Sequence, residues 1–284
     1  MINFNGTIVS EEDFKLNSEN RGYKYGDALF ETLKVVNGVI FFWEDHYFRL
    51  MASMRILRMD IPMNFTMEYL ESEILKTIEA HNLSKTSARV RVNVDRGDGG
   101  KYLPNKNNAL AFNIKVEKHN DPFYSLNKES SYVVDLYKDY FVAPGLLSGL
   151  KSNNKAINVL GSIYAQENDF DNCLLLNTNK QVIEALNGNL FLVKGDKIKT
   201  PPLEDGCLKG VMRKQILEII SKDVNLFIEE ASISPFELQK ADELFITNVI
   251  KGVVSIAQYR KKTFKNEFAQ SLVGKLNAKL RLMS

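Results

Sequence analysis

Val182-Ile183-Glu184-Ala185-Leu186-Asn187-Gly188-Asn189-Leu190-Phe191 places one carboxylate at the end of a short apolar run, follows it with a turn of amide side chains and glycine, and returns into a second apolar run. Strand, turn, strand is the reading. Upstream, Gly149-Leu150-Lys151 leads through Ser152, Asn153 and Asn154 into a stretch of helical character, and downstream Gly206-Cys207-Leu208-Lys209-Gly210-Val211-Met212-Arg213 opens another helix. Short strands with tight turns and single intervening helices predict an α+β fold, not a doubly wound parallel sheet.

Working outward, residues 30–36 alternate as a strand, Asn37-Gly38 is a hairpin turn, and 39–42 return. A helix begins at Trp43, with Tyr47, Leu50, Met51, Met54 and Leu57 at helical spacing. Thr66 is the expected N-cap of a second helix, running to Ala80 with Leu70, Ile74, Leu75 and Ile78 on one face. Strands are expected at 88–94 and 109–116, and the polar stretch from Glu117 onward, with Pro122, reads as a linker. The expected organisation is a small α+β domain over 1–117, a linker over 118–128 and a larger α+β domain over 129–284. In the latter, strands fall at 132–137, 173–177, 182–185, 189–193, 244–248 and 253–259, and helices at 153–168, at 210–221 and from Asn266. Ser234-Pro235-Phe236-Glu237 is a capping box with proline at the first helical position. In the basic C-terminal helix Phe268, Leu272, Leu276 and Leu280 recur every fourth residue, the mark of core or dimer packing.

The bulk numbers narrow the class. With 37 basic and 35 acidic residues the net charge is +2, which gives no electrostatic reason to expect nucleic acid or an anionic membrane as partner. No apolar run suits a membrane span, and the first residues lack a signal-peptide layout. Cys173 and Cys207 sit in apolar runs as small buried hydrophobes, so a reducing cytoplasm is expected. His46, His81 and His119 have no metal-ligand spacing, so no metal is expected. Glycine patterns for dinucleotides or a P-loop, and the Gly-x-Ser-x-Gly elbow, are missing.

What remains is an amine, a carboxylate and a helix start. Lys151, placed before the expected helix, has an amine whose pKa a helix N-terminus and partial burial would lower, and Lys155 is its rival. Glu184 ends a strand, and the free N–H groups of the helix opened by Gly210 suit a phosphate. An amine nucleophile, a carboxylate for a pyridine nitrogen and an anion site together are what pyridoxal 5'-phosphate requires.

Five segments in order then resemble the fold-type IV pyridoxal phosphate enzymes, the D-amino acid aminotransferase-like fold that also includes branched-chain aminotransferases and aminodeoxychorismate lyase. They are Arg21 to Thr32, the His46-Tyr47-Phe48-Arg49-Leu50 motif, the segment opening at Lys151, the Glu184 turn and the Gly206 to Arg213 helix start. By that resemblance Lys151 forms the Schiff base with the cofactor, Arg49 grips its phosphate by a forked contact, and Glu184 faces the pyridine nitrogen. Leu208 packs on the ring, the backbone of Val211 and Met212 completes the phosphate cup, and Thr247 and Asn248 close its other side. A homodimer is also implied.

By the same resemblance the expected substrate is a small amino compound. Phe30 stands where the D-amino acid enzymes have tyrosine, and their Arg-x-His has no counterpart, while Glu31-Thr32 replaces the Glu-Gly of the branched-chain type. Arg96-Gly97-Asp98-Gly99-Gly100-Lys101-Tyr102 resembles a glycine-rich stretch of aminodeoxychorismate lyase. The resemblance therefore implies a lyase making 4-aminobenzoate and pyruvate, in folate synthesis, with an amino acid aminotransferase using a 2-oxo acid as the alternative. Phe30, Thr32, Arg91 and Arg96 are the expected substrate contacts.

Overall fold

The computed structural model describes residues 1–106, 108–126 and 131–283. Its contacts fall into two compact units, Met1–Pro122 with Lys151–Asn154, and Phe123–Leu150 with Lys155–Leu282. Residues 127–130, which hold the end of the expected linker and the start of the expected larger domain, lie outside the described residues.

In the first unit, alternation builds one antiparallel sheet. Its strands are β1 (Ile2–Phe4), β2 (Thr7–Val9), β3 (Ala28–Val36), β4 (Val39–Ile40), β5 (Ser87–Asp95) and β6 (Ala111–His119), ordered β2-β1-β6-β5-β3-β4. The register pairs Glu31 with Val92 and Val92 with Ile114, and one step along pairs Phe30 with Asn93 and Asn93 with Asn113. Successive residues point to opposite faces. One face is therefore apolar, with Leu29, Leu33, Val90, Val92, Ile114 and Val116, and the other carries Phe30, Thr32, Arg91, Asn93 and Asn113.

Two helices cover the apolar face, α2 (Trp43–Ile56) on β3 and α3 (Met67–Ala80) on β6 and β1, after a short α1 (Arg21–Tyr25). Leu50 and Met54 of α2 and Leu70 and Ile74 of α3 are fully buried, each worth about 1.5–3 kcal/mol. Glu44 and Asp45 sit in the first turn of α2, favourable to its dipole, and Thr66 accepts from the Tyr69 N–H to cap α3, as expected from sequence.

The second unit holds β7 (Val133–Val142), α4 (Ala156–Glu167), β8 (Asn172–Asn177), β9 (Val182–Ala185), β10 (Gly188–Lys194), β11 (Lys197–Thr200), α5 (Val211–Ile220), β12 (Phe227–Glu230), α6 (Pro235–Leu238), β13 (Glu243–Asn248), β14 (Gly252–Ile256), β15 (Gln258–Tyr259), β16 (Lys262–Thr263) and α7 (Glu267–Arg281). These strands form one mixed sheet in which β10 lies between β9 and β13. Leu174, Leu190, Leu192, Leu244, Ile246 and Ile256 form the core on one face. On the other, Phe191 and Phe245 stack with centroids 5.0 Å apart, and Phe268 of α7 adds a third ring 6.2 Å from Phe245. Leu272, Leu276 and Leu280 of α7 are buried, so the repeat of four is a packing stripe.

Three local expectations change. The helix expected from residue 153 starts at Ala156, because residues 151–153 pair with β3 instead. The strand expected at 253–259 is broken into β14 and β15, and the short strands β1, β2, β11, β12 and β16 had no strong alternation to reveal them.

Tyr124 fixes the start of the second unit. Its hydroxyl donates to the Val249 carbonyl at 2.6 Å, its N–H donates to Asn277 Oδ1, and Asn277 Nδ2 donates back to its carbonyl at 2.8 Å. Its ring lies over Gly252, which has φ +72°, and a Cβ there would stand 2.6 Å from ring carbon. Gly252→Ala combines left-handed strain with overpacking, so a loss of about 2–4 kcal/mol is expected in urea unfolding. A loss below about 0.5 kcal/mol, within the ordinary surface range, would contradict this packing account.

Candidate active site

Lys151 is placed by backbone pairing. The Phe30 N–H donates to the Lys151 carbonyl at 2.9 Å, the Asn153 N–H donates to the Ala28 carbonyl at 3.0 Å, and Ser152 bridges Leu29. Lys151 thus extends the row of Phe30, Asn93 and Asn113, and its side chain emerges on their face. The ammonium stands 4.5 Å from the centre of the Phe30 ring. This corrects the expected position before a helix: at the N-cap of α4 stands the rival, Lys155.

On the opposite face, Glu31 is buried between two partners from α2. Arg49 Nε donates to Oε1 at 2.8 Å and Nη2 to Oε2 at 2.5 Å, while His46 Nδ1 lies 2.7 Å from Oε2. Spacing of three residues on a helix brings His46 and Arg49 to one side. Burial pushes the Glu31 carboxyl up, but the Arg49 charge and the His46 bond outweigh it and hold the group at about 2. Burial pushes His46 down against the pull of Glu31, so a neutral ring donates from Nδ1. The fork expected to grip a phosphate is on Glu31. Sequence reasoning passed over Glu31; the signal was a lone carboxylate at an inward position of an apolar strand.

The Lys151 face is polar and cationic. Arg91 stacks on Phe30 at 3.8 Å and donates through Nε to Asn93 Oδ1, and Asn93 donates to Asn113. Its Nη groups make no hydrogen bond or ion pair among the described residues. Burial, then Arg89, push its guanidinium down from the usual value, so an anion beside it is welcome. Thr32 lies opposite Arg91, and Lys34 lies two residues further along the same face. Burial lowers the Lys34 amine to about 8 against the pull of Asp121.

Arg96, an expected substrate contact, does not join them. It donates to Asp27 and to the Leu57 and Arg58 carbonyls, the latter at 2.7 Å, and so caps the end of α2. Arg21 holds the glycine-rich loop through the Gly99, Lys101 and Tyr102 carbonyls.

In the second unit, Glu184, Asn189 and Thr247 stand side by side across β9, β10 and β13. Glu184 Oε2 accepts from the Leu208 N–H at 2.9 Å. Thr247 is 2% exposed and its hydroxyl has no partner among the described residues. Gly210 is the N-cap of α5 and no side chain caps the helix, so the N–H groups of Val211 and Met212 offer an anion site. Asn248 Oδ1 accepts from the N–H groups of Ile250 and Lys251 and rigidifies the turn after β13. A carboxylate, an uncapped helix start and a buried hydroxyl suit a ligand with a basic ring nitrogen and a phosphate.

The profile of one family, amino-transferase class IV, matches residues 28–259. The chain belongs to that family. A putative branched-chain-amino-acid aminotransferase of Methanocaldococcus jannaschii is 29% identical over 99% of this chain and 95% of its own length. Aminodeoxychorismate lyase of Vibrio harveyi is 27% identical over 92% of this chain and 93% of its own length. The solved T.th. branched-chain amino acid aminotransferase with pyridoxamine 5'-phosphate superposes with a TM-score of 0.83 at 22% identity, covering 96% of this chain and 91% of that one. This class IV chain has the fold-type IV architecture and is a pyridoxal phosphate-dependent enzyme. Within the second unit, the Glu184 carboxylate, the Thr247 hydroxyl and the start of α5 suit that cofactor's ring nitrogen and phosphate. No helix among the described residues is long and apolar enough to cross a membrane.

Glu31 gives this class IV enzyme an acid-sensitive element. Its folded pKa of about 2 lies below the ordinary carboxylate value of 4.5, so its contribution is full above about 4.5 and fades as pH falls toward 2. Glu31→Gln should cost about 3 kcal/mol in urea unfolding at neutral pH and should flatten the loss between about pH 4.5 and 3. Parallel acid limbs in the two proteins would remove Glu31 as the group responsible.

Proposed function

We propose that this class IV enzyme is a 4-amino-4-deoxychorismate lyase, forming 4-aminobenzoate and pyruvate for folate synthesis in the cytoplasm. The observation that carries the reading is the Lys151 face of the first sheet. An aliphatic side chain would need an apolar wall there, and the face offers Thr32, Arg91, Asn93 and Asn113 beside Phe30. A cyclic amino acid with two carboxylates suits that surface, and Arg91 is its anchor.

In this reading Lys151 holds the cofactor, Glu184 pairs with its pyridine nitrogen and Leu208 lies against the ring. The Val211 and Met212 N–H groups, Arg49, Thr247 and Asn248 take the phosphate. Bound pyridoxal phosphate supplies an electron sink. With its amine free, Lys151 would remove the proton from the ring carbon that bears the substrate's amino group. The carbon–oxygen bond to the enolpyruvyl group breaks, the ring becomes aromatic, and the enolpyruvate takes up a proton to leave as pyruvate. Phe30 and Thr32 border the same face and orient the ring.

The near full-length match to a putative branched-chain aminotransferase favours the second reading, in which Lys151 moves a proton from an amino acid and a 2-oxo acid is the acceptor. A second copy of the chain is proposed to cover α4, whose Val159, Leu160 and Ile163 lie exposed along one side. Leu160→Asp should then convert a dimer to a monomer in light scattering; a wild-type monomer would refute the pairing.

Purified protein with pyridoxal phosphate and enzymatically generated 4-amino-4-deoxychorismate should release fluorescent 4-aminobenzoate. Lys151→Ala should abolish the signal, and Arg91→Ala should raise KM about ten- to a hundredfold, the cost of one charge-assisted contact. No 4-aminobenzoate, but bleaching of the cofactor band by amino acids, would make the enzyme an aminotransferase.

A further inference from the structure

Glu184 and the N-terminus of α5, which the cofactor reading assigns to opposite ends of one ligand, are joined here through the backbone of a single residue, Leu208. The Leu208 N–H donates to Glu184 at 2.9 Å. The Leu208 carbonyl accepts from Asn189 Nδ2 at 2.8 Å and from the Gly210 N–H at 2.8 Å. Asn189 is 4% exposed and is the ladder neighbour of both Glu184 and Thr247.

Gly210 shows how tightly the amide is fitted. Its φ of −71° is open to any residue, so glycine is not needed for backbone freedom. It is needed for space, because a Cβ would stand 2.0 Å from Asn189 Oδ1. The amide therefore meets this segment at two points, holding the Leu208 carbonyl with its nitrogen and pressing on Gly210 with its oxygen.

We infer that Asn189 is the positioning residue of this site. By holding the Leu208 carbonyl it fixes that residue's backbone, and so orients the Glu184 carboxylate and the first-turn N–H groups of α5 together, so that recognition of a ring nitrogen and of a phosphate are coupled. The inference rests on the cofactor assignment made above. Loss of the Nδ2 donor frees the Leu208 backbone, and both ends of the site relax at once.

Asn189→Asp keeps the shape, removes the donor and sets an acceptor against the Leu208 carbonyl. Pyridoxal phosphate dissociation constants, the pH titration of the bound cofactor's absorbance and the melting temperature of the cofactor-free protein are to be measured for wild type, Asn189→Asp and Glu184→Gln. Asn189→Asp should weaken binding about tenfold, the worth of one such hydrogen bond. It should also move the absorbance titration in the same sense as Glu184→Gln, with little change in melting. Gly210→Ala should weaken binding as well, and the Gly210→Ala, Asn189→Ala double variant should bind more tightly than Gly210→Ala alone. A wild-type dissociation constant and titration in Asn189→Asp, with Glu184→Gln shifted, overturns the inference and leaves the cofactor assignment standing. If Glu184→Gln is unshifted too, the assignment of Glu184 falls and the inference with it. A lower melting temperature in Asn189→Asp with binding and titration unchanged makes Asn189 a structural residue only.

Discussion

The register of β10 between β9 and β13 is the constraint on which the second unit depends. It sets Asn189 opposite Glu184 on one side and Thr247 on the other, with all three on one face. Leu190, Leu192, Leu244 and Ile246 then fall on the opposite face, in the core. A slip of β10 by one residue would turn Asn189 into the leucine core and bring Leu190 and Leu192 to the face of Glu184 and Thr247. The apolar positions that fold the sheet therefore also fix the polar row. Neighbouring strands lie about 4.8 Å apart, so Glu184 and Thr247 stand about 10 Å apart without any loop setting the distance.

The first unit solves a different problem, a charge inside an apolar layer. Glu31 faces α2 and α3 among leucine and valine, where an unpaired carboxylate would be neutralised or would unfold the sheet. Arg49 and His46 keep it ionised. A buried pair of this kind adds little net stability, because desolvation offsets most of the attraction. What it adds is orientation. A guanidinium held through two parallel bonds has one pose.

Much of this was legible in the sequence because it is local. The helices from Trp43 and after Thr66, the Asn37-Gly38 hairpin and the strands at 182–185 and 189–193 all announce themselves through period, cap or turn residue. What the chain conceals is non-local. Ser152, Asn153 and Asn154 carry capping side chains and read as a helix start, yet the backbone of 151–153 pairs with β3, a partner far away in sequence. Arg96 sits in a glycine-rich loop, as a ligand-binding arginine would, but its guanidinium turns back onto the carbonyls ending α2. Neither outcome follows from spacing, because each depends on which group three-dimensional proximity makes the better partner.

The placement of Lys151 follows from the same non-local pairing. β3 carries β5 along one edge; its other edge is taken by β4 at Val35 and Val36 and by residues 151–153 at its start. The antiparallel bridge between Ser152 and Leu29 leaves no freedom over which face receives the lysine: Ser152 follows Leu29 to the helix-covered side, and Lys151 follows Phe30 to the polar side. Had the segment continued α4 by one more turn, the amine would be carried by a helix end free to fray. As a strand edge the segment is held on both sides of Ser152, by the Phe30 N–H and the Ala28 carbonyl. A reactive amine needs a fixed origin and a mobile tip, and an extended backbone with a four-carbon side chain supplies both.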